Sequence, residues 1–267
     1  MTALYRLLSS LASHAGLVFS MALQQVRRRY VGTVGGIAWS VLQPLALITT
    51  YWFVFSVGFK IRIGDGSVSF IVYFITGMAA WFLISEAIGV SVGTISGNVH
   101  LIKKVVFPIE ALPVTPIITT TIVHFGLLLI VLAFVLIERG GLPWTALQLP
   151  YYTACAVVLC LGLSWLTAAL QVFFRDVQKL VEVVVGVWFW LTPIVWSREM
   201  LGGQWHWFLD LNPAYYIVNG YRDSLIYGVP FWSNPVPAVA FWTICGILLL
   251  LGAWVFERLK SDFVEVL

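Results

Sequence analysis

Three consecutive arginines, Arg27, Arg28 and Arg29, form the densest positive charge in the chain. They stand just before an apolar stretch, 35–58, that contains no charged side chain. A guanidinium donates paired hydrogen bonds to phosphate groups, whereas any basic residue beside a span favours the cytoplasmic side and attracts anionic lipids. Two roles are therefore open for these arginines: binding of an anionic head group, or orientation of the chain alone.

A second basic segment, 98–113, reads NVHLIKKVVFPIEALP. It contains the pair Lys103 and Lys104, and a helix stop at Phe107 and Pro108, because proline disfavours a helix at the residue before it. The pattern predicts a short apolar and basic helix at the inner membrane face, suited to docking on a cytosolic partner. The alternative is a loop that only anchors two spans through its positive charge.

The sequence lacks the short motifs of common enzyme chemistry. It contains no GxxxxGK[ST] phosphate loop, HExxH or CxxC. Its three cysteines, Cys155, Cys160 and Cys245, lie inside apolar runs without metal-ligand spacing. We therefore expect no catalytic residue, metal or cofactor in this chain. Energy for transport would have to come from ATP and Mg²⁺ on a separate subunit.

The ionisable residues Glu86 and His124 fall within the second and third predicted spans. An ionisable residue at membrane depth is a functional candidate by default. A proton relay would need a longer chain of such groups, so hydrogen bonding in the interior of the helix bundle is the other interpretation.

Composition predicts an all-α polytopic membrane protein. Of the 267 residues, 60% are apolar and only 10% are charged, whereas about a quarter are charged in an average soluble domain. Continuous rather than alternating apolar runs exclude the strands of a membrane barrel. About six runs are near the 20 residues that a spanning helix needs: 35–58, 69–93, 112–137, 149–173, 178–197 and 236–256.

The regions flanking these spans complete the predicted topology. The segment Leu4–Val26 has the spacing of an amphipathic helix lying along the cytoplasmic leaflet, the alternative being a soluble docking helix. With both termini cytoplasmic, ten basic residues lie inside and five outside (Lys60, Arg62, Arg139, Arg198 and Arg222). We expect one domain, 1–267: an interface helix in 1–34, a six-helix region in 35–256 and a cytoplasmic tail in 257–267.

The outer segment between the last two spans, about 197–235, is unusually aromatic. Asn212 with Pro213, and Gly228, punctuate it as they would short helices. Such a segment either dips back into the outer leaflet as re-entrant helices or forms an interfacial aromatic belt.

Four pieces in order carry a family resemblance: RRRYVGTVGGIAWSVLQPL, LIKKVVFPIEALP, FFRDVQKLVEVVVGVWFWLTPIVW and NPAYYIVNGYRDSLI. Together they resemble the membrane (permease) subunit of type-two ABC exporters for polysaccharides, in the O-antigen and teichoic-acid branch. The resemblance runs from about Gln24 to Lys260. It implies a multi-pass protein of the cytoplasmic (inner) membrane that serves lipopolysaccharide biosynthesis or a similar export.

The resemblance also implies partners and site residues. The partners are a second copy of the chain, two copies of a cytosolic ABC ATPase, membrane lipids and a polyprenyl-diphosphate-linked polysaccharide, with no nucleic acid. Val26–Arg29 and the preceding helix would form the cytoplasmic interface, Arg175 and Asp176 would end the fourth span, and the segment after Pro193 would be re-entrant. The ATPase-coupling residues would be His100, Leu101, Lys103, Lys104, Phe107 and Pro108.

The chemistry of a lipid-linked glycan agrees with these roles. Arg27, Arg28 and Arg29 could meet the diphosphate at the inner leaflet. Aromatic faces stack on sugar rings, so the expected glycan conduit includes Trp188, Trp190, Trp196, Tyr215 and Tyr216. Two other functions remain open: a permease for a drug or small lipid, and a membrane enzyme acting on lipid-linked sugars. Such an enzyme would need clustered acidic residues or histidines at a membrane face, for which Asp210 with Asp223 is a thin basis.

Overall fold

The computed structural model describes residues 2–30, 36–60, 68–104 and 107–267, and within these ranges it gives no account of the side chains of Arg29 and Lys104. The described residues form helices joined by turns, which confirms the all-α polytopic fold. The predicted boundary at 34/35 between the interface helix and the first span lies outside the described residues.

The N-terminal segment forms two helices, α1 (Thr2–Ser13) and α2 (Ala15–Tyr30), bent by 73° relative to each other. The prediction of one continuous amphipathic helix over Leu4–Val26 is therefore wrong, because the helix is interrupted near its middle. The break lies at His14, whose ring Nδ1 is 2.8 Å from the Ser10 carbonyl oxygen. Serine, histidine and glycine are all weak helix formers, and Ser13, His14 and Gly16 stand together here.

Four helices of the described chain are long and apolar enough to cross a membrane. They are α4 (Phe70–Val92), α6 (Ala111–Arg139), α7 (Leu149–Phe173) and α11 (Pro235–Leu259). The shorter helices that follow α2 are, in chain order, α3 (Trp39–Trp52), α5 (Val99–Lys104), α8 (Val177–Leu191), α9 (His206–Asp210), α10 (Pro213–Arg222) and α12 (Phe263–Val266). The four long helices fall on four of the six predicted spans.

The other two predicted spans are shorter helices. In the first, α3 continues into a π-helical turn, Phe53–Gly58. In the fifth, α8 has 15 residues, about 22 Å of helix, and the predicted extension to residue 197 is wrong. Thr192 has extended backbone because the ring of Pro193 disfavours a helical conformation before it. Residues 192–197 are irregular but almost entirely buried.

Two apolar cores hold the bundle together. The larger packs α4 against α6, α7, α8 and α10. The smaller, at the opposite end of the spans, joins α1 to the start of α6 and the end of α11 through Leu7, Leu112, Trp165, Phe256 and Phe263. Between α7 and α11, Gly162 and Gly252 face each other so closely that a Cβ on Gly252 would lie 2.2 Å from the Gly162 carbonyl oxygen.

The aromatic segment 197–235 contains the short helices expected from Asn212–Pro213 and Gly228. Asn212 caps α10 because its side-chain oxygen accepts from the Ala214 amide at 3.0 Å. Ile217, Val218 and Tyr221 of α10 are fully buried against α4 and α7. α10 thus lies inside the bundle instead of along its rim.

Candidate functional site

A cleft of about 510 Å³ opens between α2, the turn after α4, α5 and the start of α6. Its walls are partly apolar and partly polar, with one arginine: Leu17, Met21, Gln24, Gln25, Arg28, Thr94, Asn98, His100, Leu101, Phe107, Leu112, Thr115 and Pro116. A second cavity of about 340 Å³ shares Gln25, Arg28 and Pro116 with it. Together they are large enough for a polar head group with part of its apolar tail.

The cleft is positioned by the contact of α2 with α6. The Thr119 hydroxyl on α6 lies 3.3 Å from the Ala22 carbonyl oxygen and 3.1 Å from Gln25 Oε1. Ala22 has no exposed surface, so α2 packs tightly at this point. Arg28 is three residues after Gln25 and shares its helix face, which directs the guanidinium to the cleft.

Arg27 and Arg28 are not equivalent. Both are exposed, but Arg28 lines both cavities and Arg27 lines neither. Successive side chains on a helix point about 100° apart, so Arg27 and Arg28 reach different surroundings. Of these two described side chains, Arg28 is the one placed to meet a group bound in the cleft.

The predicted coupling residues divide between the cleft and the core. His100, Leu101 and Phe107 line the cleft, Lys103 is exposed, and Pro108 is buried. α5 is anchored by Ile102, which belongs to the smaller core. The structure therefore brings part of the predicted coupling segment and Arg28 around one cavity.

A buried carboxylate beside this region was missed by sequence reasoning. Glu110 is 2% exposed, and its Oε2 accepts from Lys260 Nζ at 2.6 Å. Burial favours the neutral acid, but hydrogen bonds from Lys260 and Ser10 outweigh it, so the pKa of Glu110 is lowered from 4.5. A second pair, Arg6 with Glu257 at 3.0 Å, ties α1 to the end of α11. The partners of each pair are far apart in the sequence, so the sequence gives no sign that they form ion pairs.

The five aromatic residues expected in a conduit differ in exposure and in hydrogen-bond partners. Trp188 is half-buried and donates to Asn212 Oδ1 at 2.8 Å, and Trp196 donates to the Trp190 carbonyl at 3.0 Å. Trp190 itself is exposed. Tyr215 and Tyr216 line a pocket of about 100 Å³, and none of the three tryptophans lines it.

The pocket around Tyr215 and Tyr216 combines aromatic rings with charged and amide side chains. Arg198 and Asp210 form a bidentate ion pair, with Nη1 2.7 Å from Oδ1 and Nη2 3.2 Å from Oδ2. Asp223 accepts from Asn219 at 2.8 Å. Burial raises the pKa of Asp223 to about 6, against the opposing effects of Arg222 and Asn219. The pocket can exchange hydrogen bonds with a hydroxylated molecule.

His124 and Glu86 have different surroundings. His124 is buried, and its Nε2 lies 2.8 Å from the Tyr221 hydroxyl, which is also 2.8 Å from Thr153 Oγ1. This arrangement joins α6, α7 and α10 and fits the interpretation of hydrogen bonding in the bundle interior. Glu86 is half-buried on α4. Among the described residues, no group of three potential metal ligands occurs.

The largest revision concerns Arg222, which was counted as an outer basic residue in the topology. Its side chain is 1% exposed and donates to backbone carbonyls of α4 and of the segment after α8. Its neighbours in the sequence, Tyr221 and Asp223, are polar or amphipathic, so local sequence gave no signal of burial.

The described chain is a bundle of apolar, membrane-capable helices with a partly polar cleft at one end. The family model described as "ABC-2 type transporter" matches residues 17–226, and the chain belongs to this family. It is 25% identical over 247 residues to an O-antigen export system permease protein, RfbA, of Klebsiella pneumoniae, covering 91% of this chain and 92% of that protein.

Two further relatives extend the comparison. An O-antigen export system permease protein, RfbA, of Myxococcus xanthus is 26% identical over 263 residues, with 97% of this chain and 98% of that protein covered. The polysialic acid transport protein KpsM of Escherichia coli is 22% identical over 239 residues, covering 89% and 92%. The similarity thus extends over nearly the whole length of each protein.

Proposed function

We propose that this chain is the membrane-spanning subunit of an ATP-driven exporter that moves a lipid-linked polysaccharide across the cytoplasmic membrane. The observation that carries the proposal is the end-to-end similarity to permeases named for O-antigen export. ATP hydrolysis belongs to a separate cytosolic ABC subunit, since the sequence has no phosphate loop. Both termini are assigned to the cytoplasm.

The cleft is the proposed reception site for the lipid-linked substrate. Its apolar walls suit an acyl or prenyl chain, and Arg28 at the junction of the two cavities suits the diphosphate. His100, Leu101 and Phe107 border the same space. A movement of α5 driven by the ATPase would therefore change the shape of the cleft directly.

Two copies of the chain are proposed to enclose the conduit. A hydrated glycan needs a polar or aromatic path, and one bundle of mostly apolar helices offers little of it. α8 carries an exposed apolar stripe of Leu180, Val183, Val187 and Leu191, and the carboxylate of Glu182 on the same helix is exposed as well. A charge facing lipid is unfavourable by about 2.5–3.5 kcal/mol at the bilayer centre, which favours a partner or a wet interior beside α8.

The test is export by a strain in which this chain is the only permease of its system. Deleting the chain should abolish surface polysaccharide and leave the lipid-linked polymer inside, and the tagged chain should co-purify with an ABC ATPase. Replacing Phe107 with alanine should leave assembly intact but separate ATP hydrolysis from export. Val99→Ala is the control on α5, because Val99 does not line the cleft and is not one of the predicted coupling residues.

Other outcomes identify the competing functions. If deletion leaves surface polysaccharide normal but stops export of a drug or a small lipid, the chain is a transporter subunit with a different substrate. Chemical conversion of a lipid-linked sugar by the purified chain without an ATPase would contradict the proposal altogether.

A further inference from the structure

Arg222 is a fully buried cation at the end of α10. Its Nε donates to the Tyr73 carbonyl at 3.2 Å, Nη1 to the Pro193 carbonyl at 2.5 Å and Nη2 to the Ile194 carbonyl at 2.9 Å. The guanidinium carbon also lies 3.5 Å from the centre of the Tyr73 ring, a cation–π geometry. One side chain thus joins three separate segments: α10, the start of α4 and the irregular stretch 192–197.

The irregular stretch needs such a donor. Helical hydrogen bonding stops at Leu191, and the carbonyls of Pro193 and Ile194 are buried. A buried carbonyl without a donor is strongly unfavourable. Arg222 supplies two donors, and the Tyr73 hydroxyl supplies a third to the Trp196 carbonyl at 2.9 Å.

The structure around Arg222 is shaped for the guanidinium. A Cβ on Gly77 of α4 would lie 2.7 Å from Arg222 Nη2, so a larger residue at 77 would displace it. Within the described part of the chain, no carboxylate lies within ion-pair distance of Arg222. Its charge is met by carbonyl dipoles and one aromatic face, which lysine cannot reproduce because its donors sit on a single nitrogen.

We propose that Arg222 is a positioning residue of the export path, which fixes segment 192–197 to α10 so that both move as one body when α8 tilts. The segment and α10 together carry Trp196, Tyr215 and Tyr216, so their relative placement sets the wall of the outer mouth. The assignment of this end as the outer mouth rests on the proposed function, whereas the mechanical link rests only on the contacts above.

The experiment measures local opening of the segment. Ser197 is 4% exposed, so Ser197→Cys reports exposure of the segment through its rate of maleimide labelling in the purified complex. The native Cys160, with no exposed surface, reports global opening in the same sample. Mass spectrometry separates the two rates, and export is measured in cells at matched membrane levels.

With Arg222→Met and Arg222→Lys, labelling at residue 197 should rise by about tenfold or more, as expected for losing charged hydrogen bonds in a locally opening unit. Labelling of Cys160 should stay nearly constant, and export should fall. Tyr221→Phe is the matched control, because Tyr221 lies beside Arg222 on α10. The substitution removes the hydroxyl that contacts His124 and Thr153 but leaves Arg222 in place, so residue 197 should stay protected from labelling.

Three results would overturn the proposal: unchanged labelling at 197 in Arg222→Met, an equal rise at Cys160, or normal export despite an opened segment. The labelling result does not depend on the cargo. A wrong assignment of the polysaccharide would therefore leave the mechanical link standing, and the two failures can be told apart.

Discussion

The difference between Arg28 and its neighbours gives a test at the scale of single residues. Arg28→Lys keeps the charge but loses the paired geometry for a diphosphate, so export should fall while membrane topology is kept. If one charge-assisted hydrogen bond is lost, the effect is about tenfold. Arg27→Lys is the matched control, because Arg27 lines neither cavity. Equal export by both variants would reduce Arg28 to a membrane anchor.

The pairing of Glu110 with Lys260 predicts a pH dependence of stability. The pKa of Glu110 is lowered from 4.5 in the folded chain, so its ionisation stabilises the fold above pH 4.5, and this contribution is lost as pH falls through the folded value. Glu110→Gln should therefore lower stability at pH 7, by about 1–2 kcal/mol, since Lys260 is partly exposed. Thermal unfolding of both proteins checks this.

The same comparison below pH 4.5 tests whether the charge of Glu110 is responsible. The stability difference between the wild type and Glu110→Gln should shrink as the carboxylate becomes protonated. A constant difference across this window would mean that the shape of the glutamate, and not its charge, matters at this position.

At the scale of elements, the crossing of α7 and α11 depends on two glycines. Close packing of small residues lets helix backbones approach in membranes. Gly252→Ala would bring a Cβ within 2.2 Å of a backbone oxygen, and such overpacking costs about 1–3 kcal/mol. Gly246→Ala on the same helix meets nothing within 4 Å and should be neutral in thermal unfolding. Equal effects of both substitutions would contradict this account of the crossing.

The elements also show how far sequence reasoning reaches. Continuous apolar runs predicted the long helices, because length and composition suffice for a span. Pro193 signalled a break, but the burial of segment 192–197 depends on α4 and α10 lying beside it. Arg222 could not be recognised for the same reason: its three acceptors come from positions about 30 and 150 residues away. The cleft was anticipated only as separate pieces, at Arg28 and at His100.

The whole molecule is predicted to function as a pair. Cysteines placed at Val183, on the exposed stripe of α8, should cross-link two copies in the membrane, whereas Val181→Cys should not, since Val181 is 9% exposed and packs into its own bundle. Native mass measurement in lipid should give two copies of the chain. A single copy that still exports polysaccharide from reconstituted vesicles would refute the paired conduit.

The contacts between the first and last helices also bear on how the chain is made. Leu7 of α1 packs in one core with Phe256 and Phe263, and Arg6 pairs with Glu257. These partners lie some 250 residues apart in the chain. For most of translation, α1 therefore lacks its contacts with Phe256, Glu257 and Phe263. The end proposed to receive the ATPase is therefore completed last, and the nascent chain becomes competent for assembly only after α11 has left the ribosome.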